Sequence, residues 1–206
     1  MADDYHYYEP SQGHGLTHDP FNAIVGPRPI GWISTRDETG RRNLAPDSFF
    51  NAFCYRPPII GFASNGWKDT VGNIAKTGEF VWNLVVDSLA EKMNATSAAV
   101  SRDTDEFDLA GLLGLPGRRV RPDRVAGSPV HFECRLCEIL QLKDAAQRPV
   151  ETWMTFGEVV AVHIDRSLLV EGIYQTAAAR PVLRAGGRGD YALIQPEAMF
   201  FMMRPG

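Results

Sequence analysis

The chain has 206 residues, of which 44% are hydrophobic, 22% charged and 10% aromatic, and its formal net charge is −4. This length and composition are typical of one globular domain with a well-developed core. The acidic balance excludes the basic field of a nucleic-acid-binding protein. No apolar run approaches the roughly 20 residues that span a bilayer, so neither nucleic acid nor membrane is an expected partner.

The first residues, MADDYHYYEP, are polar and acidic, unlike the basic and then apolar start of a secretory signal. We interpret residues 1–19 as an N-terminal arm and residues 20–206 as the folded domain. Three histidines lie in the arm, but their spacing does not place them on one helical face, so a polar arm is favoured over a metal site. No metal ion is therefore expected.

The chain has three cysteines, Cys54, Cys134 and Cys137. An odd count without an export signal predicts a reducing, cytoplasmic environment rather than a disulfide framework. Cys134 and Cys137 form a C-x-x-C, but they lie in a strand-like run, where residues three apart point to opposite faces. One buried thiol and one on the opposite face are therefore favoured over a redox or zinc pair.

The first half of the domain is predicted to alternate between strands and short helices. Five prolines between Ile24 and Phe62 exclude a long helix there. Residues 30–35 and 58–63 are predicted strands. Asp69 or Thr70 begins a helix that Gly78 ends. The predicted elements that follow are a strand at 79–86, a helix from Asp87 or Ser88 that carries Leu89, Met93 and possibly Ala98, and a short helix at 105–112.

The second half is predicted to be dominated by one hairpin. Residues 114–128 are loop-like, and two long strands, 130–142 and 152–164, flank the polar turn 143–149. After Asp165 the chain is predicted to be irregular. Many strands with few short helices indicate a β-barrel with helical excursions.

The loop 63–70 is the strongest candidate for a binding site, because it joins a predicted strand to a predicted helix start. Free backbone amides and the positive end of a helix dipole favour an anion there. Ser64 and Thr70 add hydroxyl donors, Gly66 allows close approach of the backbone, and Lys68 adds positive charge. A phosphate site and a simple polar capping loop explain this pattern equally well.

A second stretch, residues 43–50, combines small residues, a proline and an amide that suit the edge of a flat heteroaromatic ring, although such a stretch is usually a bulged strand end. Other cofactor motifs are missing from the sequence. No G-x-G-x-x-G opens a helix, and there is neither a G-K-[ST] phosphate loop nor a G-x-S-x-G nucleophile elbow.

Taken together, these segments resemble the flavin reductase-like family, which includes the flavoredoxins. The resemblance covers about residues 20–191 and rests on the joint order of several soft motifs: PRPIGWIST (27–35), NLAP with SFF (43–50), KDT with NI (68–74), TGEF (77–80), DEF with AGL (105–112), SPVHFEC (128–134) and GEVV (157–160). It implies a mainly β protein with short helices, an FMN-binding split β-barrel of Greek-key type. It also implies a homodimer with the flavin site at its interface.

The resemblance further implies which residues bind the FMN cofactor. The family pattern places Trp32, Ser34 and Thr35 on a strand that lines the flavin. It places Asn43, Ala45, Pro46 and Ser48 along the isoalloxazine ring and the ribityl chain. It places Ser64, Lys68, Asp69 and Thr70 at the phosphate. One departure from the pattern is Asp47, which stands where relatives often carry an aromatic or apolar residue. A desolvated carboxylate near the ring disfavours the anionic reduced flavin.

The implied activity is a flavin reductase-type oxidoreductase that passes hydride or electrons from NADH or NADPH through flavin to an acceptor. No catalytic side chain is assigned, because the flavin carries the chemistry. A redox protein or an oxygenase is the kind of partner that fits. Two alternatives stay open: a flavoredoxin-like electron carrier without strong NAD(P)H activity, and a non-catalytic flavin-binding protein.

Overall fold

The computed structural model describes residues 4–205, and antiparallel β structure dominates them. The strands are β1 (Arg28–Pro29), β2 (Gly31–Arg36), β3 (Arg42–Asp47), β4 (Phe50–Tyr55), β5 (Pro58–Asn65), β6 (Glu79–Asn83), β7 (Gly114–Leu115), β8 (Arg124–Val125), β9 (Val130–Lys143), β10 (Pro149–Ile164), β11 (Leu169–Val170), β12 (Ile173–Tyr174), β13 (Val182–Gly186) and β14 (Asp190–Leu193). The α-helices are α1 (Phe21–Ile24), α2 (Asp69–Thr77), α3 (Ala90–Ala95) and α4 (Glu106–Leu109). Single 3-10 turns occupy Pro10–Gln12, Asp87–Leu89, Arg166–Leu168, Thr176–Ala179 and Pro196–Ala198.

Seven strands form the main sheet, in the order β3-β2-β6-β9-β10-β5-β4. The predicted hairpin is confirmed: β9 and β10 pair along their length and form its centre. Gly157 of β10 lies opposite Leu136, and a Cβ atom there would overlap the ring of Phe80. The glycine therefore lets the Phe80 side chain pack directly against the strand.

Two hydrophobic clusters form the core, and β2 runs between them. Its neighbouring residues Trp32 and Ile33 are both fully buried, yet they belong to different clusters. This follows from the alternation of side chains along a strand. Because both faces of β2 are covered, nearly every residue of this strand is buried.

The predicted helices are confirmed with small differences at their ends. Helix α2 begins at Asp69, and Gly78 follows it in the left-handed conformation with φ 71°. This conformation suits glycine and ends the helix as predicted. The second predicted helix is a 3-10 turn that continues into α3, and it ends at Ala95, so Ala98 lies beyond it.

The prediction of irregular structure after Asp165 was wrong in part. Strands β13 and β14 form a hairpin, and β13 also pairs with β1. The glycines that suggested irregularity lie in the turn of this hairpin. The Arg184 guanidinium donates hydrogen bonds to the carbonyl oxygens of Gly187 and Asp190 at 2.9 and 2.6 Å and fixes the turn. Residues 114–128, predicted as loop, also contain the short β7–β8 pair.

The predicted placement of the two cysteines is confirmed, since Cys134 is buried and Cys137 is exposed. Within residues 4–205, no helix is long and apolar enough to cross a membrane. In the same described part, no three His, Cys, Asp or Glu side chains are grouped as a metal site requires.

Candidate functional site

A cavity of about 390 Å³ lies where three segments of the chain meet beside Glu106 of α4. The end of β3 forms one wall, the loop from β5 into α2 forms the second, and residues 96–100, which follow α3, form the third. Its size falls within the range of roughly 300–1,000 Å³ that is typical of small-molecule sites.

Most of the site residues predicted from the sequence line this cavity. They come from two segments far apart in the chain, and the fold brings them together: Asn43, Ala45, Pro46, Ser64, Lys68, Asp69 and Thr70. A hydrogen bond from Asn43 Nδ2 to Thr70 Oγ1, 3.1 Å long, joins the two segments directly. Residues predicted to bind the phosphate and residues predicted to bind the ring therefore line the same cavity.

Three other predicted residues, Trp32, Ser34 and Thr35, are buried in β2 and do not line the cavity. The indole Nε1 of Trp32 donates a hydrogen bond of 3.0 Å to Thr96, a residue of the cavity wall. Thr35 accepts a hydrogen bond of 3.1 Å from Asn73 of α2. These residues lie behind the cavity, and their contact with a cofactor stays a prediction.

The fourth, Ser48, follows the end of β3 outside the cavity lining. Its carbonyl oxygen accepts a hydrogen bond of 2.9 Å from Arg28 Nε. Its role as a cofactor ligand likewise stays a prediction.

The start of α2 presents uncapped backbone amides to the cavity. Lys68 is the N-cap residue and makes no side-chain capping bond, and the first amide bonded back to it is that of Gly72. The amides of residues 69–71 therefore have no partner within the helix, as expected at a helix start. Gly66 has φ 90°, which explains why a glycine stands in this loop.

Three carboxyl groups and one ammonium group line the cavity. Asp69 lies 3.4 Å from Arg102, and Glu106 accepts the amide hydrogen of Leu44 at 3.1 Å. In residues 4–205, neither the Lys68 ammonium nor the Asp47 carboxylate has a hydrogen bond or an ion pair. Burial raises the pKa of Asp47 to about 7, although the positive charge of Lys68 opposes this shift.

Several lining residues were not predicted as ligands. Trp67 has 53% of its surface exposed and lines the cavity. Its position next to Lys68 in the predicted anion-binding loop could have identified it as a site residue. Glu106 and the wall 96–100 carried no such signal, because they reach the cavity only through the tertiary fold.

Comparisons with known proteins agree with this architecture. The family described as "Flavin reductase like domain" matches residues 26–182, which is most of the chain. An uncharacterized protein of Aquifex aeolicus is 34% identical over 172 residues, covering 81% of this chain and 84% of that protein.

Two solved structures have the same fold. Nitrilotriacetate monooxygenase component B from Bacillus cereus superposes with a TM-score of 0.85 at 23% identity, covering 98% of this chain and 100% of that one. A putative flavin reductase with a split barrel domain, from Shewanella frigidimarina, has a TM-score of 0.77 at 25% identity, covering 90% and 89%. The predicted mainly β split-barrel fold with short helices is confirmed.

Proposed function

The chain belongs to the flavin reductase-like family, and from this we propose that it is an FMN-dependent oxidoreductase that passes hydride or electrons from NADH or NADPH to an acceptor. One observation carries the proposal: Lys68, which has no partner among residues 4–205, and an uncapped helix start share a cavity with β3. A flavin mononucleotide has an anionic end and a flat polar ring, so it requires both kinds of surface.

The phosphate belongs at the start of α2. The amides of residues 69–71 have no partner within the helix, the helix dipole favours negative charge, and among residues 4–205 the Lys68 ammonium has no competing partner. The Thr70 hydroxyl accepts from Asn43, so its own hydrogen remains available to a phosphate oxygen. The residues present therefore fit the anionic end of FMN.

The ring belongs against β3, where Asn43, Ala45 and Pro46 line the cavity. When bound there, flavin supplies the hydride and electron transfer. The chain's own residues bind and orient it: Trp67 offers a half-exposed indole for packing, and Trp32 holds Thr96 in the wall. Thr35 ties α2 to β2 through Asn73 and so keeps the phosphate end in place.

We propose that the active form is a homodimer. Strand β4 is an edge of the main sheet, and Phe53 and Tyr55 on it are 55% and 82% exposed. Exposed apolar surface of this kind is typical of an interface between subunits. Sedimentation should give a dimer for the flavin-loaded protein, and a flavin-loaded monomer would contradict this arrangement.

The proposed acceptor is a redox protein or an oxygenase in the cytoplasm. An anaerobic titration tests the activity: the purified protein is loaded with FMN, NADH and then NADPH are added, and the flavin absorbance is followed. We expect one of the two to bleach the flavin rapidly. If neither nucleotide bleaches the flavin but a reduced protein partner does, the protein is an electron carrier and not an NAD(P)H-dependent oxidoreductase.

Lys68→Ala is expected to weaken FMN binding by about 1–3 kcal/mol, because it removes a charged hydrogen-bond donor from the phosphate. Titration of the flavin-free protein with FMN, followed by flavin fluorescence, measures the change. Lys76→Ala is the matched control, since Lys76 lies in the last turn of the same helix, 3.4 Å from Glu38. Equal affinities for Lys68→Ala and the unmodified protein would show that the phosphate lies elsewhere.

A further inference from the structure

We propose that Asp47 binds a proton when the flavin in this cavity is reduced, so that reduction takes up one more proton than the flavin alone requires. This inference rests on the proposed function, because it needs FMN in the cavity. Asp47 is therefore a positioning residue: by taking up a proton, it offsets the negative charge that the flavin gains on reduction.

The position of Asp47 carries the proposal. It is the last residue of β3, pairs with Gly31 of β2, and lines the cavity with a half-buried side chain. The other two carboxyl groups of the cavity have partners, Arg102 for Asp69 and the Leu44 amide for Glu106. Among residues 4–205, Asp47 has no such partner, so only the more distant charge of Lys68 opposes its negative charge.

The charged groups around Asp47 decide how easily it changes protonation. Lys68 at the start of α2 favours the carboxylate of Asp47, and the carboxyl groups of Asp69 of α2 and Glu106 of α4 line the same cavity. The other wall, residues 96–100, contributes no charged side chain, and Gly31 opposite Asp47 has no side chain at all. Burial outweighs the effect of Lys68 and holds the pKa of Asp47 at about 7. One added negative charge in the cavity raises this pKa further.

Protons and electrons balance in this step. Flavin bound in this cavity would supply the two-electron chemistry and, with two electrons and one proton taken from a nicotinamide as hydride, would add one negative charge to the cavity. A second proton then moves from solvent to a carboxylate oxygen of Asp47, which becomes a neutral carboxylic acid. When the two electrons leave, this proton returns to solvent. No bond to Asp47 other than O–H is made or broken.

The test is the midpoint potential of the FMN-loaded protein as a function of pH. For a two-electron couple, a tenfold change in an equilibrium constant is about 30 mV, so one extra proton steepens the slope by about 30 mV per pH unit. We expect this steeper slope just above pH 7 in the unmodified protein and in Asp47→Glu, and its loss in Asp47→Asn. The matched control is Glu138→Gln, an exposed carboxyl of β9 outside the cavity lining, which should keep the steeper slope.

Identical slopes for the unmodified protein and Asp47→Asn would overturn the proposal while the flavin site stands. A second readout is independent of the flavin. In the flavin-free full-length protein, the Asp47 carboxyl carbon should titrate by NMR near pH 7, and this resonance should be missing in Asp47→Asn. An ordinary acidic titration of Asp47 would overturn the inference, whereas failure to bind FMN would instead overturn the proposed function.

Discussion

Glu133→Ala is expected to lower the free energy of unfolding by about 3–5 kcal/mol, because it removes the acceptor from a buried network. The Glu133 side chain is fully buried in β9. Its carboxylate accepts the backbone amides of Arg118, Arg119 and Val120 at 2.5 to 3.0 Å, and His163 Nε2 lies 2.5 Å away. Alanine would leave the three amides without this acceptor, and the amide of Val120 is buried, where losing a partner is most costly.

The same network predicts how stability depends on pH. Burial alone would raise the pKa of Glu133, but the three amides and His163 hold it at about 2. Because the pKa in the folded state is below that in the unfolded state, the stabilisation is present above the unfolded value. It is lost as pH falls from about 4.3 towards 2. The unmodified protein should therefore lose this part of its stability in acid, and Glu133→Ala should not.

Urea unfolding at pH 7 and at pH 3 measures both effects. Glu138→Ala is the matched control, since Glu138 is an exposed glutamate of the same strand and its loss should change stability by less than about 0.5 kcal/mol. A cost for Glu133→Ala no larger than that of the control would refute the role of the network. So would an equal loss of stability in acid for the variant and the unmodified protein.

The sequence predicted the parts of the site that depend on local chain order. The strand, the polar loop and the helix start at residues 58–78 are neighbours in the chain, so capping residues and a glycine stop were enough to place them. The pairing of β9 with β10 was predictable for the same reason, because a short polar turn joins them.

The remaining parts depend on contacts between distant residues. The wall at 96–100 faces β3 only because β3 and the loop after α3 meet in three dimensions, and small residues carry no pattern that predicts this. Glu133 looked like an ordinary strand residue, since its partners lie in a loop 13 to 15 residues earlier and at His163, 30 residues later. Trp32 is buried and reaches the cavity wall only through Thr96, and its contact with the flavin stays a prediction.

Trp32→Ala is expected to lower the free energy of unfolding by about 3–5 kcal/mol, since the indole is completely buried in one of the two core clusters. It should also weaken FMN binding. The indole N–H donates to Thr96 Oγ1, and this hydroxyl donates in turn to the carbonyl oxygen of Met93 at 2.7 Å. Without the indole, the wall residue Thr96 loses the contact that fixes it against β2.

Two further variants separate packing from binding. Trp32→Phe keeps most of the buried ring and removes the N–H donor, so it should cost about 1 kcal/mol of stability and a smaller part of the FMN affinity. Trp67→Ala removes a half-exposed indole that packs edge-on against Trp153 at 5.6 Å between ring centroids. It should reduce FMN affinity more than it reduces stability. Urea unfolding and fluorescence titration with FMN, applied to all three variants, should therefore rank Trp32→Ala first in lost stability. A greater loss of stability in Trp67→Ala than in Trp32→Ala would contradict the role of Trp32 in the core. Unchanged FMN affinity in Trp32→Ala would show that the cavity wall does not depend on Trp32.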